Sequence, residues 1–88
     1  MRAGELFPDD VDTIEVRGTR VRKGSIAAFA HNALTLERVD PDSEQYAVAR
    51  ADLLAALPVL QQAGVFDVFS LRLPRAAQIV AEAVSAGA

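Results

Sequence analysis

The sequence predicts an α+β fold: an N-terminal β-hairpin packed on about three α-helices, the central one kinked at Pro58. Three observations carry this. β-Branched residues alternate with charged ones on both sides of Arg17-Gly18, the period-two signature of a hairpin. Three later stretches, near residues 24–37, 44–63 and 74–86, carry apolar residues at helical spacing. Between them stand Asp40-Pro41 and Gly64, residue types that end helices. The alternative is an all-α bundle in which residues 13–22 are irregular.

At 88 residues the chain has room for one domain, expected as a flexible acidic arm over residues 1–12 followed by a small globular domain over 13–88. In the arm, Pro8, Asp9, Asp10 and Asp12 break any period, and Leu6-Phe7 is the one apolar pair. That pair is expected either to fray or to dock on a neighbouring subunit or over the core. A chain of this size buries only about 60–65% of its unfolded surface, and small scaffolds supplement thin cores with disulfides, a metal or a partner subunit. There is no cysteine and only one histidine, so neither a disulfide nor a metal is expected, and no cofactor. A homo-oligomer, expected as a dimer, is the remaining supplement. The hydrophobic fraction of 51% is high for such a domain and fits a buried subunit interface, although much of it is alanine. The net charge of −3 argues against nucleic acid as the main partner. No stretch reaches the roughly 20 apolar residues of a membrane span, and MRAGELFPDD lacks the apolar core of a signal peptide. A cytoplasmic protein is expected.

In the hairpin TIEVRGTRVR, a two-residue loop at Arg17-Gly18 sets Val16 opposite Thr19, Glu15 opposite Arg20 and Ile14 opposite Val21. Ile14, Val16, Thr19 and Val21 then share one face, with Glu15, Arg20 and Arg22 on the other. Such a ribbon is not stable alone, so its apolar face must sit on the helices. The first helix, over 24–37, is expected to be capped by Ser25 and to turn Ile26, Phe29, Ala30, Ala33 and Leu36 inward, with Leu34 widening the stripe. After Asp40-Pro41, Ser43 or Asp42 can cap the second helix, with Glu44 or Gln45 near the capping-box position. Its inner stripe is Tyr46, Ala49, Leu53, Leu57 and Leu60. Pro58 requires a kink, or a stop near Ala56 and a restart.

Residues 65–71, VFDVFSL, are almost all large and apolar. Periodicity does not separate a short buried strand from a single turn. The segment is expected in the core; the alternative is that Phe66 and Phe69 stay exposed in the monomer and form a subunit contact. The last helix opens on Pro74 and presents Ala76, Ile79, Val80, Ala83 and Val84 as a narrow stripe, with Arg75, Gln78, Glu82 and Ser85 facing away. It is expected to dock weakly or to swap onto a second chain, which places Ile79, Val80 and Val84 in the candidate interface with Phe66 and Phe69.

Chemistry-bearing residues are few. Arg17, Arg20, Arg22 and Lys23 form the one basic cluster. It could bind phosphate or an acidic partner, but no aromatic residues interleave with it as on a single-strand binding surface. His31 and Asn32 are adjacent on the first helix. As a general base His31 needs an orienting carboxylate, and nothing in the spacing selects one. No nucleophile elbow, phosphate loop or paired-carboxylate site is present, so no catalytic residue is assigned.

Gly18 and Arg20, Gly24-Ser25, His31-Asn32, Leu57-Pro58 and the run Gly64, Val65, Phe66, Asp67 together resemble the pattern of a family of small bacterial proteins, a domain of unknown function. The likeness covers about residues 14–69 and fails in the last helix. It implies no activity, and draws attention to His31, Asn32 and Asp67 as a polar set. Three readings follow from the sequence. The first is a small non-catalytic interaction or regulatory module acting with an unknown protein partner or as a homo-oligomer. The second is a nucleic-acid-binding regulator using the hairpin Arg17–Lys23. The third is a small-ligand binder or enzyme with an inter-subunit site around His31.

Overall fold

The computed structural model describes residues 13–22 and 24–87. The expected arm over 1–12, and Lys23 of the basic cluster, lie outside the described residues. Strands β1 (Thr13–Val16) and β2 (Thr19–Arg22) form an antiparallel hairpin. Three long helices follow: α1 (Ser25–Arg38), α2 (Glu44–Gln62) and, after the single turn α3 (Val65–Val68), α4 (Pro74–Ser85). This is an α+β arrangement.

The hairpin has the register that the alternation requires: Thr13 pairs with Arg22, Ile14 with Val21, Glu15 with Arg20 and Val16 with Thr19. Arg17 (φ 55°) and Gly18 (φ 75°) both lie in the left-handed region, the mark of a type I′ turn, whose twist matches the strands it joins. Val21 is buried and Ile14 and Thr19 are half-buried, while Val16, next to the turn, is more exposed. The ribbon leans on α2 through β2, which supplies the apolar support that two strands lack on their own.

Ser25 does not cap α1. It is the first helical residue, and Gly24 occupies the cap position at φ 85° with no side-chain cap bond. The chain leaves β2 and enters the helix through this left-handed residue, whose carbonyl accepts from the Ala28 amide at 2.9 Å. α2 is capped as its sequence suggests: Ser43 Oγ accepts from the Tyr46 amide at 3.1 Å. The third helical position is Tyr46, so Glu44 and Gln45 close no capping box. α2 continues through the exposed Pro58; it does not stop at Ala56 and restart.

The core lies where α1, α2 and α4 meet. Leu36, Leu53, Leu57 and Leu60 are its largest fully buried side chains, joined by Phe29, Ala33, Ala49, Ala76 and Ile79. Tyr46 is partly buried beside them. At about 1.5–3 kcal/mol per large side chain, Leu53, Leu57 and Leu60 of α2 supply a large share of the burial energy.

Two corrections concern the outer helices. In α1 only Phe29, Ala33 and Leu36 turn inward; Ile26, Ala30 and Leu34 form a second apolar stripe that is exposed among the described residues. In α4, Arg75 does not face away. Its guanidinium Nη1 donates to the carbonyls of Leu36 at 2.8 Å and Val39 at 2.9 Å, oxygens that the end of α1 leaves without helical partners. Its amide donates to Glu37 Oε1 at 2.6 Å. Leu73, the cap residue of α4, offers no side-chain bond, so Glu37 caps α4 from α1 while Arg75 caps α1 from α4. This clasp docks the last helix within its own chain.

Candidate functional site

The segment after α2 builds the most distinctive surface. Gly64 ends α2 at φ 85°, a conformation that strains any residue with a Cβ. It also sits under the hairpin tip: a Cβ there would lie 2.7 Å from Arg17 Nη1. Arg17 reaches across this glycine to Asp67 Oδ2 at 2.6 Å, tying the turn of the hairpin to α3. Both side chains are well exposed, 59% and 66%, so the pair is worth at most about 1 kcal/mol.

Residues 65–71 are neither a strand nor fully core. One turn over Val65–Val68 gives way at Phe69 (φ −118°, ψ 148°) to irregular chain that runs to Pro74, with Leu73 extended (φ −80°, ψ 123°) as a residue preceding proline requires. The Phe66 ring tilts against Phe29 at 5.6 Å between centroids, which fixes the inner side of α3. The outer side is uncovered: Val68 is 75% exposed and Phe69 65%.

A groove of about 620 Å³ runs between this segment and the outer stripe of α1, walled by Ile26 (52% exposed), Leu34 (58%), Phe69 and Leu73, with Phe29 and Phe66 among its deeper lining. On the other side of Phe69 and Leu71, a smaller hollow of about 280 Å³ opens against Val80 and Val84 of α4. The two share Phe66, Phe69, Ser70 and Leu71, so they form one continuous apolar face with the Phe69 ring as its ridge. Among the described residues, Arg72 is the one charged residue lining either hollow.

Of the candidate interface residues, Phe66, Phe69, Val80 and Val84 lie on this face. Ile79 is 6% exposed and belongs to the core. The outer stripe of α1 was missed as part of the face. Its signal was present in Ile26, Ala30 and Leu34, four residues apart along one line of the helix.

The polar candidates are not brought together. His31, exposed, and Asn32, half-buried, line a shallow hollow between α1 and α2 of about 640 Å³, with Thr35, Glu44, Gln45 and Asp52 around them. Asp67 is held by Arg17 elsewhere and does not line that hollow. In the basic cluster, Arg17 is engaged by Asp67, Arg20 lies opposite Glu15, and Arg22 opposite Thr13. Among the described residues, no group of three or more histidine, cysteine, aspartate or glutamate side chains is placed to hold a metal ion. No helix among them is long and apolar enough to cross a membrane.

No protein-family model, curated protein or solved structure matches this chain. The resemblance over residues 14–69 stands on its own residues alone.

Proposed function

We propose that this chain is a small, non-catalytic protein-interaction module of the cytoplasm and that the apolar face across α1, residues 65–73 and α4 is its working surface. One observation carries the reading: Phe69, Ile26 and Leu34 stand exposed around a groove whose lining, among the described residues, holds one charge. Exposed apolar surface that is continuous rather than scattered marks a binding site, and an aromatic ridge at its centre is the usual anchor of a protein contact. The hairpin has less to offer nucleic acid, since Arg17 is committed to Asp67 and Arg20 faces Glu15. A ligand site around His31 lacks the carboxylate of Asp67 that the polar set invoked.

Native mass spectrometry of untagged protein purified from its host tests this, comparing wild type with Phe69→Asp. The expected result is a protein partner, a further copy or another chain, held by the wild type and lost from the variant. A bare monomer in both samples, or a bound small-molecule or nucleotide mass, overturns it.

A further inference from the structure

We infer that the occupant of the apolar face is a second copy of this chain, seated about a two-fold axis so that Phe69 of each copy enters the groove between α1 and residues 65–73 of the other. This rests on the interaction-module reading and adds the partner and the geometry. Three observations point to it.

The first is area. Taken at their fractional exposures, Ile26, Leu34, Phe69 and Val84, with the half-buried residues between them, present on the order of 600 Å² of apolar surface; a standard interface takes about 800 Å² from each partner. The α1 groove alone supplies too little for a globular partner, whereas the whole face approaches what one takes.

The second is charge. Among the described residues, Arg72 is the single charged side chain lining the two hollows. The face therefore offers no pattern by which a strongly charged partner could be selected, and it matches a surface as neutral as itself.

The third is shape. A two-fold interface needs a patch complementary to itself, so that residue i touches j and j touches i. Here a projecting ring, 65% exposed, stands directly beside a groove of about 620 Å³, ample for a phenylalanine side chain. A knob beside its own receptacle is satisfied twice by a rotated copy.

The test uses two variants. Phe69→Ala removes the knob and with it one wall of the groove; Leu34→Glu spoils the opposite wall and leaves the knob. Both residues are exposed, and circular dichroism with thermal melting of dilute protein checks that each variant folds as the wild type does. By sedimentation equilibrium, the wild type is expected to dimerise and each variant to self-associate about tenfold more weakly or worse. A wild-type dimer that either variant leaves unweakened overturns the inference. A wild type that stays monomeric also overturns it. In that case a different protein that co-purifies with the wild type and is lost with Phe69→Asp leaves the interaction-module reading standing, and its absence brings down both.

Discussion

Arg17 shows opposed effects at a single residue. Its backbone lies at φ 55°, which costs a residue with a side chain about 1–2 kcal/mol relative to glycine. Its guanidinium returns at most about 1 kcal/mol through the exposed pair with Asp67. The backbone cost is thus at least as large as the gain. Asparagine tolerates this conformation and makes Asn-Gly, the preferred type I′ turn. Arg17→Asn is therefore expected to leave stability unchanged or raise it by up to about 1 kcal/mol, whereas Arg17→Ala keeps the strain, loses the pair and costs about 1 kcal/mol. Urea unfolding of the two variants checks this. A loss above about 1 kcal/mol in Arg17→Asn would show that the packing of the guanidinium over Gly64 contributes more than an exposed ion pair.

At the scale of elements, the clasp between α1 and α4 is the feature to measure. A hydrogen bond to a charged group contributes about 1.5–3 kcal/mol, and Arg75 makes two, both partly buried, to carbonyls that α1 cannot satisfy itself. Arg75→Ala is expected to cost about 2–3 kcal/mol and Glu37→Ala about 1 kcal/mol. Because the two act at one junction, a double-mutant cycle is expected to show a coupling of at least about 0.5 kcal/mol; strict additivity would mean that the two caps work independently. The clasp also shows what a single sequence does not reveal. Hairpin register, the inner stripe of α2 and the Ser43 cap were legible because each is fixed by neighbours within a few positions. Arg75 was not, since its partners lie 36 to 39 residues away. A hint was nonetheless available, because a cation in the first turn of a helix opposes the helix dipole and so implies a partner elsewhere. The apolar face of α1 was legible as apolar but not as exposed: periodicity says which residues share a side, not how much of that side the remaining chain covers. The separation of Asp67 from His31 and Asn32 was hidden for the same reason.

At the scale of the whole molecule, the described chain measures 40 × 26 × 19 Å. Helices with their side chains are about 10–12 Å across, so the short dimension holds only two layers. No residue is far from a surface, and leucines of one helix supply much of the core. Covering the face around Phe69 with a second copy would add a third layer, and dimerisation would then be linked to folding by mass action. The melting temperature of the wild type is accordingly expected to rise with protein concentration, and that of Phe69→Ala to be insensitive to it. Calorimetry across a hundredfold range of concentration checks this, and equal concentration dependence in both proteins would place the stabilising contact elsewhere.

The clasp also sets an order of events during synthesis. The hairpin, α1 and α2 can associate as soon as they leave the ribosome, because their contacts and the cap of α2 lie within residues 13–62. The last turn of α1 has no such independence: the carbonyls of Leu36 and Val39 wait for residue 75. Until then residues 65–73 are anchored at one end only, and the Phe69 ring has no fixed position. A chain folded as far as α2 but with the clasp still open thus carries apolar side chains on an unanchored segment, the circumstance in which assembly between copies competes with completion of each one.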